Sequence, residues 1–168
     1  VAGRDIQVYV KIEGAKELLE ELQRLGGNVR STARSAVRAG ARVIQAQAEQ
    51  NAEAIGGYVA KRTALRITQR KKGLIEAAIG PSKKKWYYRF IEVGTQPHEI
   101  KGNPLVFEGD RGLVIIGGVQ HPGMAARPWL RPAFDTKKDA STQAVGDFIR
   151  RAVEERRAIV EHGADDED

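Results

Sequence analysis

The side chains best suited to acid–base or metal chemistry in this chain are three histidines, His98, His121 and His162, and Glu92, set among aromatics in "YYRFIEVGTQPHEI". The histidines fall in no HExxH or related ligand spacing. With no cysteine in the sequence, thiolate metal sites, disulfides and thiol nucleophiles are excluded. Gly56, Gly57, Gly73, Gly80 and Gly94 build neither a phosphate loop nor a dinucleotide fingerprint. Ser31, Ser35, Ser82 and Ser141 lack the strand–turn–helix elbow of a serine nucleophile. A carboxylate among aromatics is the setting in which general acids are tuned, but a glutamate at a helix end more simply caps or pairs, and Glu92 is read that way. No catalytic set emerges. The expectation is a protein that is not an enzyme and carries no metal and no cofactor.

Cations make a stronger pattern. Arg30, Arg34, Arg38 and Arg42 recur every fourth residue, so on a helix they form one slowly drifting stripe about 18 Å long. With Arg70, Lys71 and Lys72 in "QRKKG" and the run Lys83, Lys84 and Lys85, they offer contacts to phosphates. No helix-turn-helix, zinc-finger or RNP pattern accompanies them. Any binding of double-stranded DNA would therefore lack sequence specificity. The other reading of the stripe is a solvated face, or one that meets a partner's carboxylates. The formal charge is +6 even with the acidic Asp165–Asp168 at the end of the sequence, which suits polyanions or acidic protein surfaces.

The elements that must position these groups are legible in the periodicity. Ile6, Val8, Val10 and Ile12 alternate with polar residues and predict a half-buried strand. "GAKELLEELQRLGGN" predicts a short helix with Leu18, Leu19, Leu22 and Leu25 on one side, ended by Gly26-Gly27. Asn28 then caps a longer helix whose apolar face, Val29, Ala33, Ala36, Val37, Ala41 and Ile44, is made mostly of small residues, so something packs closely on it. Two strands are expected at Ala64–Thr68 and Leu74–Ile79, within a stretch whose residues 55–75 otherwise read as a mobile loop. "KWYYRFIEVGT" predicts a short helix stopped by Gly94. Leu105–Phe107 and Leu113–Ile116 flank "EGDRG" as a hairpin. A proline-rich segment follows, then a helix with Ala144, Val145, Phe148, Ile149, Ala152 and Val153 inward, closed by Gly163.

The expected fold is α+β: a small antiparallel sheet with a long central helix and a C-terminal helix packed on it. It forms one domain over residues 1–163, followed by a disordered acidic tail, 164–168. At 168 residues the chain can bury one modest core. No apolar stretch approaches the roughly 20 residues that span a bilayer, and no membrane role is expected. The alternating N-terminal stretch is unlike a signal peptide, which predicts a soluble protein made in a cytoplasm.

In "HPGMAARPWLRPAFD", Pro122, Pro128 and Pro132 stiffen the chain. Trp129, Leu130 and Phe134 read as inward, and Arg127 and Arg131, flanking Trp129, as outward interface anchors. The pair "Y-x-x-F-I-E-x-G-T" and "H-P-G…A-R-P-W-L-R-P-A-F", preceded by "GAKELLEELQRL" and the long Ala/Arg helix, resembles the tail-component family of long-tailed bacteriophages, across residues 14 to 155. The stretch before the first strands, "YVAKRTALRITQRKKGLIEAAIG", departs from the family pattern. The resemblance implies a structural virion protein of the neck: a tail-completion or head–tail joining ring, often a homohexamer, at the head-proximal end of the tail. Its partners would be further copies of itself, the stopper of the capsid connector, and the tail terminator or tail tube, with double-stranded DNA passing through the channel. A tail terminator is the nearest alternative, and a non-specific DNA-binding protein the alternative from another class. Under this resemblance Phe90, Ile91, Glu92, Gly94 and Thr95 form a structural corner. The arginine stripe, with Arg127, Trp129 and Arg131, serves a partner or subunit interface, where it pairs with acidic groups of a neighbouring subunit or ring.

Overall fold

The computed structural model describes residues 15–56, 63–69, 75–109 and 112–165. The expected strand at Ile6–Ile12 lies outside them, as do Arg70, Lys71 and Lys72 of the basic hairpin tip. The fold is α+β, with elements in the order α1 (Ala15–Arg24), α2 (Val29–Ile55), β1 (Thr63–Gln69), β2 (Ile75–Pro81), a 3-10 helix (Lys83–Tyr88), α3 (Arg89–Val93), β3 (His98–Gly109), β4 (Gly112–His121) and α4 (Leu130–Asp165). In place of one small sheet there are two separate antiparallel hairpins, β1–β2 and β3–β4. The described residues fall into two compact units, one holding the described parts of 1–85 and 129–168, the other Trp86–Pro128.

The first unit is built on α2 and α4, which pack against each other with α1 and the β1–β2 hairpin alongside. The Asn28 side chain caps α2 by accepting from the Ser31 amide at 3.0 Å. Its buried row, Ala36, Gly40, Ile44, Ala48 and Ala52, steps by four residues and faces a matching row on α4, Ser141, Val145, Ile149 and Val153, also buried. The helices run antiparallel: Asn51 donates to the Trp129 carbonyl at 3.1 Å, and eleven positions earlier on α2 Gly40 accepts from Ser141 Oγ at 2.9 Å. Gly40 is needed for this approach, because a Cβ there would lie 2.5 Å from Val145 Cγ2 and 2.7 Å from the Ser141 carbonyl. The small-residue face of α2 is thus filled by the chain's own last helix. Leu18 and Leu19 of α1 pack against Ala36, Val145 and Ile149. The α1 end is tied to α4 by Arg156, whose Nε donates to the Leu25 carbonyl at 3.2 Å, and by Arg157, which pairs with Glu21. That carboxylate raises the Arg157 pKa above its ordinary value.

The strand expected at Ala64–Thr68 is β1, paired with β2 from Thr63↔Pro81 to Gln69↔Ile75. Two boundaries of α4 differ from the expectation. Helix α4 begins at Leu130 rather than after Phe134; Pro132 sits in its first turn, where amides have no partner within the helix, so a missing N–H costs nothing. At its other end α4 runs past Gly163 to Asp165, so Ala164 and Asp165 of the expected disordered tail are helical; residues 166–168 lie outside the described residues.

Candidate functional site

The second unit contains the conspicuous corner. Helix α3 is stopped by Gly94, whose amide donates to the Phe90 carbonyl at 2.7 Å and whose φ is +71°. The chain then meets the segment after β4 directly. Thr95 and Met124 exchange two backbone hydrogen bonds, of 2.9 and 3.0 Å, and the Arg127 amide donates to the Ile91 carbonyl at 2.7 Å. The first motif and the opening part of the second, up to Pro128, are therefore halves of one structure. Its closeness depends on two glycines: a Cβ on Gly94 would lie 2.6 Å from the Met124 carbonyl, and one on Gly123 (φ +81°) 2.3 Å from that of Thr95. Both glycines have a positive φ, which L side chains rarely adopt.

His98 and His121 face each other as register partners where the β3–β4 ribbon leaves this corner, with ring centroids 5.0 Å apart. Each is committed to local backbone. His98 Nδ1 lies 2.9 Å from the Gln96 carbonyl, which can only accept, so this nitrogen carries a proton. His121 Nδ1 accepts from the Gly123 amide at 3.0 Å. The two imidazoles thus brace the turn through opposite ring-nitrogen roles. His162 is far along α4, with Nδ1 2.9 Å from the Ala158 carbonyl. Among the described residues no group of three His, Cys, Asp or Glu side chains could hold a metal ion. The groove beside the Thr95–Met124 bridge, about 440 Å³, is lined by the corner's own residues, none titratable.

Within the corner the buried side chain is Glu92, 9% exposed and engaged in an interaction. Phe90 and Ile91 of the expected corner are half-buried. Phe90 also joins a group that the motif reading did not single out. Trp86, 53% exposed, meets Phe90 edge-on at 5.7 Å, and the Arg89 guanidinium lies 5.1 Å from the Trp86 ring centroid and 5.2 Å from that of Phe90. The signal was present in "WYYRF": an arginine three positions after a tryptophan in helical geometry covers it.

The arginine stripe exists as expected on an unbroken helix. Arg30, Arg34, Arg38 and Arg42 are all exposed. Arg34, Arg38 and Arg42 each lie two residues, or about 200°, from a member of the buried row, so the stripe and the α4-packed face are on opposite sides of α2. Arg30 reaches Gln69 of β1: with the amide oxygen turned toward it, Nε and Nη2 lie at 2.9 and 3.2 Å. Arg34, Arg38 and Arg42 have no ion pair with a described residue. Lys83 and Lys84 are exposed and Lys85 is half-buried. Arg127 and Arg131 are exposed, but Trp129, grouped with them as an interface residue, is 0% exposed. It is a core residue of the helical unit and unavailable to a partner.

Residues 16–94, from α1 through the glycine that stops α3, match the model of the family described as "Bacteriophage HK97-gp10, putative tail-component". No curated protein and no solved structure matches the chain. The match is shorter than the resemblance read over residues 14 to 155, ending before β3 and the second motif. It supports a bacteriophage tail-component family for this chain, and with it the class of structural tail proteins.

Proposed function

We propose that this protein is a tail-completion, or head–tail joining, component of the phage neck, acting as a homo-oligomeric ring between the capsid connector and the tail. The observation that carries this reading is the tail-component match over α1, α2, β1–β2 and α3. The corner supports it. Main-chain hydrogen bonds between residues 91–95 and 124–127 hold the base of a long ribbon, which suits a part that must present a fixed shape to its neighbours. Such a ring is virion-located at the head-proximal end of the tail and assembles in the host cytoplasm.

In this reading the arginine stripe joins rings. Copies of a chain with charge +6 repel one another, so the exposed guanidiniums of Arg34, Arg38 and Arg42, which have no ion pair among the described residues, are better matched to carboxylates of the adjoining ring than to an identical neighbour. Double-stranded DNA passes through the channel without sequence-specific contact. The double variant Arg34→Glu/Arg38→Glu should keep its thermal stability, as exposed substitutions usually do, and lose the ability to join purified tails to connectors. Joining at wild-type efficiency would remove the stripe from the interface. Light scattering of the protein with and without tail tubes or connectors tests the role itself: a ring, alone or on its partner, is expected. A monomer that ignores both and binds duplex DNA would replace it with the DNA-binding reading, which the exposed stripe otherwise favours.

A further inference from the structure

The β3–β4 ribbon has two unlike edges. Strand β3 carries Glu99, Lys101, Pro104 and Glu108, and its register shifts between Lys101 and Leu105. Charges, a proline and a bulge are the devices by which an edge strand is protected from pairing. Strand β4, Gly112–His121, has none of them: ten residues without Lys, Arg, Asp, Glu or Pro, in a chain where 30% of residues are charged. Its outer edge pairs with no strand among the described residues. One face of β4 is open as well. Leu113, Ile115 and Val119 are 66, 59 and 44% exposed, and Val106, the cross-strand partner of Ile115, is 55% exposed. Gly117 lies on that same face, and nothing approaches within 4 Å of where its Cβ would be, which leaves room for an incoming side chain. A ribbon of two strands is marginal on its own and gains stability from a third strand or a covering surface.

We infer that β4, by its free edge and the Leu113–Ile115–Val119 face, is the seam at which a second copy of this chain docks. Charge selects the occupant. The unit Trp86–Pro128 balances Arg89, Lys101, Arg111 and Arg127 against Glu92, Glu99, Glu108 and Asp110, so the net positive charge lies elsewhere in the chain. A surface built for DNA or an acidic protein would carry cations. A neutral, apolar surface is one on which two chains of charge +6 can meet with no like charges brought into contact. This inference rests on the proposed ring and supplies its subunit contact.

The test uses the full chain with Ile115→Lys and, separately, Leu113→Lys. Both sites are exposed, so the monomer fold should survive, and circular dichroism melting confirms it. Ile159→Lys, at an exposed position on α4, is the matched control. Sedimentation velocity across a concentration series should show wild type and the control assembling, with each β4 variant at least tenfold weaker. Assembly of both β4 variants at wild-type strength would overturn the seam and leave the ring standing. Wild-type protein that stays monomeric both alone and on connectors or tails would overturn seam and ring together.

Discussion

At the scale of single residues, the corner rests on positions where a methyl group is too much. Gly94 combines a φ of +71° with backbone on the far side of its missing side chain. With ψ at 179° this backbone lies in a region essentially open only to glycine, costing another residue roughly 1–3 kcal/mol, and the opposing atoms belong to main chain, which cannot swing aside as a flexible side chain would. Gly94→Ala should therefore destabilise the Trp86–Pro128 unit by about 2–4 kcal/mol, adding strain of this kind to overpacking. The amides of Thr95, Met124 and Arg127 are the reporters: their hydrogen exchange should accelerate by tenfold or more while amides in α2 keep their protection. Equal protection of the corner in wild type and variant would show that the glycine is not what permits the approach. The need for a turn at Gly94 was legible, because a helical apolar pattern ends there. That Gly123 would supply the other half was not. Partners separated by a whole ribbon are joined by main-chain hydrogen bonds, which leave no mark in side-chain periodicity.

At the scale of elements, α2 shows what a pattern of period four can and cannot say. Alanines and arginines on alternate rows predicted the helix, its cap at Asn28 and a close neighbour for the small face, and α4 is that neighbour. Which element it would be depended on tertiary packing. The same small face would serve a subunit contact equally well, and only the Ser141–Gly40 and Asn51–Trp129 hydrogen bonds assign it to the chain itself. The two hairpins were legible from turn residues between apolar runs, yet not their separation into two sheets, since strand pairing beyond the hairpin is set by what packs on each face. Trp129 illustrates the same ambiguity, its flanking arginines and prolines suiting an exposed anchor as well as a core residue at a helix start. The α2–α4 contact makes a quantitative claim. Gly40→Ala gains up to about 1 kcal/mol of helix propensity but drives a methyl into Val145 and the Ser141 backbone, an overpacking of about 1–3 kcal/mol or more. Packing should win, by about 1–2 kcal/mol net, in urea unfolding. A stabilised variant would mean that the two helices can part there at little cost.

At the scale of the whole molecule, the net charge and the apolar face of β4 lie in different units, and the two proposed contacts inherit opposite responses to salt. The ribbon unit is balanced while the remainder of the chain holds the +6, so assembly through β4 brings together chains that repel at long range and attract through apolar contact. Raising salt from about 50 to 500 mM shortens the Debye length from about 14 to 4 Å, removing repulsion while leaving apolar burial in place. Self-association should hold steady or strengthen over that range. Joining to an adjoining ring through Arg34, Arg38 and Arg42 should weaken, because exposed ion pairs are screened. Duplex DNA, if the stripe bound it, would dissociate more steeply still, with a log–log slope of about −0.9 for each phosphate neutralised. A salt series read in parallel by sedimentation for self-association, by tail joining, and by DNA retention therefore separates three surfaces with one variable. Self-association that falls with salt as steeply as joining would move the stripe into the subunit seam. In that case β4 would be left as the face presented to the neighbouring ring.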